Sequence, residues 1–128
     1  MELEEPNTRE SAMIVLVVED EALIRVVVSD LLRETPGVTV VEAATADEAW
    51  HYLQNHGPVD VVFTDHRMPG TMTGSQLAIR VKQEYPNTRI LVTSSHFDGK
   101  EWSEPVLQKP YDMDKTAARI IGLARKEG

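Results

Sequence analysis

Met13-Ile14-Val15-Leu16-Val17-Val18 runs straight into Glu19-Asp20-Glu21. Six consecutive apolar residues, mostly β-branched, have no polar face in either period. That pattern predicts a strand buried on both sides, as in the middle of a parallel sheet. The abrupt change to three acids marks its carboxyl end.

Outward from this stretch, strand and helix signals alternate. A helix is expected over Glu21 to Glu34, with Leu23, Ile24, Val27, Leu31 and Leu32 inward and Arg25, Ser29 and Arg33 outward. Pro36-Gly37 stops it, and Val38 to Ala43 reads as the second strand. Thr45-Ala46-Asp47-Glu48 is a capping box opening a helix with Ala46, Ala49, Trp50 and Leu53 on its apolar face. His56-Gly57-Pro58 ends that helix. The third strand is expected over Val59 to Thr64, terminating at Asp65. A loop with Pro69, Gly70 and Gly74 leads to a second capping box, Thr73-Gly74-Ser75-Gln76, and a helix through Tyr85. Ile90 to Thr93 reads as the fourth strand and Val106 to Lys109 as a short fifth. Asp112 caps a last helix with Ala117, Ile120, Ile121 and Ala124 on its buried stripe. Residues 95–105 are polar and irregular. The alternation predicts an α/β fold: a parallel sheet doubly wound by helices in three layers.

The bulk composition narrows the function. The 128 residues suit one domain, with residues 1–11 as a flexible tail and 12–128 as the folded unit. A formal net charge of −8 argues against nucleic acid and anionic membranes, both of which reward Lys and Arg. With no cysteine, there is neither a disulfide framework nor a thiolate zinc site. No signal peptide or membrane-length apolar run is found, so a cytoplasmic location is expected.

In an open parallel sheet, ligands bind beyond the carboxyl ends of the strands. Strand one ends in Glu19 and Asp20, strand three in Asp65, strand four in Ser94 and strand five in Lys109. A lone Asp after a strand ordinarily closes a turn, and acids at a helix start can simply answer its dipole. Here the other strand ends carry complementary chemistry. Close carboxylates repel one another unless a cation joins them. Mg²⁺, or Mn²⁺, takes oxygen ligands, retains waters and completes its shell with phosphate oxygens. Lys109 supplies a compact positive charge for a phosphoryl oxygen, and the Ser94 hydroxyl can hydrogen-bond to it. The set suits a transferring phosphoryl group.

These residues resemble the receiver domains of bacterial response regulators. The pieces that carry the resemblance are Val15 to Glu21, Thr64-Asp65-His66-Arg67-Met68-Pro69-Gly70, Thr93-Ser94 and Lys109-Pro110. Together they span about residues 12–126. The resemblance implies a five-stranded flavodoxin-like sheet of order 2-1-3-4-5. It implies that Asp65 is the phosphoacceptor. Glu19, Asp20, Asp65 and the backbone carbonyl of Arg67 hold the metal, while Lys109 and Ser94 (or Thr93) contact the phosphoryl group. Its implied partners are a sensor histidine kinase or histidine phosphotransfer protein and an output protein of unknown identity. It leaves a dimer open, and the chain length is expected to leave no room for an output domain.

Three features depart from the family pattern. Thr93 competes with Ser94 for the hydroxyl role. Fourteen residues separate Ser94 from Lys109, so the fourth crossover helix is expected to be short or absent. Val106 stands three before the lysine, where many receivers carry Tyr or Phe. Arg67 and His96 are placed to tune the lifetime of an aspartyl phosphate, and residues 95–111 to form a phosphorylation-dependent interface. Two other readings are a binding module that does not use phosphorylation, and a hydrolase working through an aspartyl phosphate. Intact Asp65 and Lys109 oppose the first. Arg67, standing where the second would need an acid, opposes it.

Overall fold

The computed structural model describes residues 12–67, 69–94, 106–108 and 112–125. Strands β1 (Met13–Val18), β2 (Val38–Ala43), β3 (Val61–Asp65), β4 (Arg89–Ser94) and β5 (Val106–Gln108) form one sheet. Its order is β2-β1-β3-β4-β5, and every pairing is parallel. The helices are α1 (Ala22–Arg33), α2 (Ala46–His56), α3 (Gly74–Glu84) and α4 (Met113–Arg125). The expected flavodoxin-like α/β fold is present.

Alternation along the strands explains the layers. Leu16, Val18 and Val62 pack against Ala46, Ala49, Trp50 and Leu53 of α2 and Leu77 and Val81 of α3. The intervening Val15, Val17, Val61 and Phe63 pack on the opposite face against Val28 and Leu32 of α1 and Ala117 and Ile120 of α4. Because neighbouring side chains point to opposite faces, a strand covered on both sides must be apolar throughout. That is the physical content of the Met13–Val18 run. Burying each such Val or Leu contributes about 1.5–3 kcal/mol.

Several local expectations change. Leu23 is not inward: it is 76% exposed, whereas Ser29, expected outside, is fully buried. The inward stripe of α1 is Ile24, Val28, Leu31 and Leu32. Packing against α4 as well as the sheet turns the helix about its axis relative to the sequence pattern. Strand β3 starts at Val61, two residues later than expected, although Asp60 before it still donates its backbone N–H to Ile14 O and accepts from Arg89 N. Strand β4 runs one residue past Thr93, since Ser94 pairs with Gln108 of β5. Ser94 is therefore the last strand residue, not the first beyond it.

The caps also divide. Thr73 and Gln76 form a complete capping box. At Thr45 only half of one forms: its hydroxyl accepts from Glu48 N, but the Glu48 carboxylate reaches Ala44 N instead of Thr45 N. Asp112 caps α4 by accepting from Lys115 N at 3.0 Å. The expected tail and the segment 95–105 lie outside the described residues. No helix among the described residues is long and apolar enough to cross a membrane.

Candidate functional site at the carboxyl end of the sheet

The chain leaves β1 to form β2 on one side, then crosses to the other side to form β3. A crevice forms where the connections part, beyond the carboxyl ends of β1 and β3. Glu19 and Asp20 stand at one lip and Asp65 at the other. Their carboxylate ligand atoms all lie within 4.8 Å of one another. Glu19 is 1% exposed and Asp65 9%, while Asp20 faces solvent. Opposite ligands of an octahedral Mg²⁺ are separated by about 4 Å. Slight side-chain movement, or one intervening water, lets all three oxygens serve a single ion. The donor set therefore fits a hard divalent cation.

Each acid is held by its surroundings. Glu19 N extends the β ladder by donating to Ala43 O at 3.0 Å, and the Glu19 carboxylate accepts from Glu21 N at 3.0 Å. Asp65 is the last residue of β3, so its backbone is fixed by the sheet. The Thr64 hydroxyl donates to Asp65 O at 3.0 Å. Beyond it, His66 N donates to Thr93 O at 2.7 Å, and Gly74 N donates to His66 O at 2.8 Å. The His66 ring meets the hydroxyl of buried Ser75 through Nδ1.

Gly74 brings α3 directly onto Asp65. A Cβ on Gly74 would fall onto the Asp65 carbonyl oxygen and come within 2.7 Å of its carbonyl carbon. Only glycine permits this approach. The intervening loop turns at Gly70, with φ +105°, where an added Cβ would strike the Asp47 carboxylate. That carboxylate accepts from Thr71 N at 3.0 Å and from Thr71 Oγ1 at 2.5 Å. The Thr71 hydroxyl, followed by burial acting in the opposite sense and then by backbone donors, holds the Asp47 carboxyl below its ordinary 3.8.

The sequence-derived site is thus assembled in part. Glu19, Asp20 and Asp65 converge. Arg67 follows the cluster and its side chain is exposed. Thr93 pairs in register with Asp65, and its buried hydroxyl has no hydrogen-bond partner among the described residues. The backbone of Ser94 ends β4, on the neighbouring strand. Lys109 and His96 lie outside the described residues. Sequence reasoning missed Arg25, Asp47 and Ser75. In the sequence Asp47 stands only as a capping-box position, and the helical wheel turns Arg25 outward.

Residues 15–120 match the model of the response regulator receiver domain. The chain belongs to that family. A receiver domain is the phosphoacceptor module of two-component signalling. Receivers in general bind Mg²⁺ at an acidic pocket and interact with histidine kinases and phosphotransfer proteins. The DNA-binding transcriptional regulator NtrC of Salmonella typhimurium is 31% identical over 114 residues, covering 84% of this chain and 24% of that protein. A protein-glutamate methylesterase/protein-glutamine glutaminase of Natronomonas pharaonis is 40% identical over 84 residues, covering 65% of the chain and 22% of that protein. The chain spans about a quarter of the length of these curated relatives. Among solved structures, the signal receiver domain of the putative response regulator NarL from Mycobacterium tuberculosis superposes with a TM-score of 0.75. It shares 28% identity over 91% of this chain and 98% of that one.

Proposed function

We propose that Asp65 of this receiver accepts a phosphoryl group from a phosphohistidine, at a Mg²⁺ site built on Glu19, Asp20, Asp65 and the backbone carbonyl of Arg67. One observation carries the reading: three carboxylates from two different strand ends share a space 4.8 Å across. An Asp65 carboxylate oxygen attacks phosphorus, the bond between phosphorus and the imidazole nitrogen breaks, and that nitrogen keeps the electron pair and takes up a proton. Bound Mg²⁺, or Mn²⁺, supplies charge neutralisation for the phosphoryl oxygens. Lys109 adds a second positive charge, and Ser94, or Thr93 beside it, donates a hydrogen bond. Water later cleaves the acyl phosphate, so the domain assists its own dephosphorylation. Arg67 and His96 set how long the phosphate lasts.

The partners of this chemistry are a histidine kinase or phosphotransfer protein as donor and an output protein that reads the phosphorylated state. The test is incubation with acetyl phosphate and Mg²⁺ beside Asp65→Asn. The expected result is a Mg²⁺-dependent, base-labile mass increase that the variant lacks. Unchanged labelling of Asp65→Asn would sink the assignment, and an absence of labelling with any donor would favour a binding module.

A further inference from the structure

Arg25 lies in the first turns of α1, six residues after Glu19, and its side chain is only 20% exposed. One guanidinium nitrogen, Nη1, donates to the backbone carbonyl of Glu19 at 2.7 Å. Another, Nε, donates to the Glu42 carboxylate at 3.2 Å. Glu42 sits on β2, in register with Val17 of β1, and its second oxygen accepts from Arg33 at 3.1 Å. A chain of charge-assisted bonds therefore runs from β2, through Arg25, to the peptide joining Glu19 to Asp20. That peptide sets the direction from which both side chains leave the backbone. Strand β1 has already ended there, so no complete ladder holds it.

We infer that Arg25, oriented by Glu42, is a positioning residue that aims the Glu19–Asp20 pair at the metal. The inference rests on the metal reading proposed above. A guanidinium is suited to the task because its planar, preorganised fork engages two acceptors at once, whereas an ammonium on a flexible stem is less well oriented. Groups that orient ligands from behind typically change metal affinity by tenfold or more when removed.

The sign of the effect separates positioning from bulk electrostatics. As a mere neighbouring charge, Arg25 repels a cation, so its removal would tighten Mg²⁺ binding. As a positioning residue, its removal weakens binding. Calorimetric titration with Mg²⁺ alone, without phosphodonor, reads this directly. Arg25→Ala is expected to raise the Mg²⁺ Kd by about tenfold. Arg25→Lys, which keeps the charge and loses the fork, is expected to raise it by roughly threefold, and it remains informative where the alanine variant does not fold. Val28→Ala, which loosens the buried face of α1 away from the acids, is expected to lower the melting temperature with the Mg²⁺ Kd unchanged.

Unchanged or tighter Mg²⁺ binding in Arg25→Ala or Arg25→Lys overturns the inference. So does equal weakening in Val28→Ala, which would assign the effect to general loosening. Failure of the unsubstituted protein to bind Mg²⁺ overturns the metal reading itself, a result distinct from any behaviour of the variants.

Discussion

The two ends of the sheet use the same side chain for opposite purposes. At the amino end, the Asp60 carboxylate accepts from Ile14 N at 2.7 Å, and Thr88 donates its hydroxyl to Val59 O at 2.7 Å. Those groups satisfy backbone atoms that strand ends leave without partners. At the carboxyl end, Glu19, Asp20 and Asp65 turn toward one another. Like charges held together oppose folding, so the arrangement carries a cost that a bound cation would offset. A carboxylate at a strand end is therefore structural or functional according to what it faces, not according to its type.

The largest effect is expected from crowding the carboxyl end of the sheet. Gly74→Ala is expected to lower unfolding stability by about 3 kcal/mol, since its Cβ overlaps the Asp65 carbonyl and both elements are packed. A urea midpoint equal to that of the unsubstituted protein would show that α3 does not rest on Asp65. Next comes the cation. Mg²⁺ at a hundred times its Kd is expected to stabilise the protein by about 2.7 kcal/mol, and Asp20→Asn to lose most of that gain. A melting temperature equally responsive to Mg²⁺ in Asp20→Asn would remove Asp20 from the site.

At the amino end the expected effects reverse. Asp60→Ala is expected to cost about 1 kcal/mol, because Ile14 N loses an ionised acceptor, while the Mg²⁺ response stays intact. A changed Mg²⁺ response there would erase the distinction between the ends. The smallest effect is expected at Asp47, which is half-buried. Its carboxyl is held below 3.8 by the Thr71 hydroxyl first and backbone donors after it. A depressed folded-state value means the contribution is present above 3.8 and is lost as pH falls through the folded value. The protection factor of the Thr71 amide, taken relative to its intrinsic exchange at each pH, is therefore expected to fall in acid, and to be low at all pH values in Asp47→Ala. Equal, pH-independent protection in both proteins would discount the Asp47–Thr71 contact.

How much of this was legible beforehand depended on the range of the forces involved. The run Met13–Val18 demanded burial on both faces whatever followed it, and the tertiary structure agrees. Thr73 and Gln76 cap each other within four residues, so the capping box was readable as a local pattern. Leu23 and Ser29 were misread because an amphipathic period says which residues group together but not how far a second helix turns the group. Asp47 and Thr71 are 24 residues apart, and nothing local announces their contact.

By itself, the sequence determined the alternation of elements and the double winding of a parallel sheet, and it put Glu19, Asp20 and Asp65 at the carboxyl ends of β1 and β3, because hydrophobic period and local capping act over a few residues. Through family likeness it also named Asp65 and its companions. Only the tertiary structure decided that Glu19, Asp20 and Asp65 share one space, that Gly74 presses on Asp65, and that Arg25 reaches back from α1 to the Glu19 carbonyl. Those relations join residues from different elements, and their distances exist only once both faces of the sheet are packed.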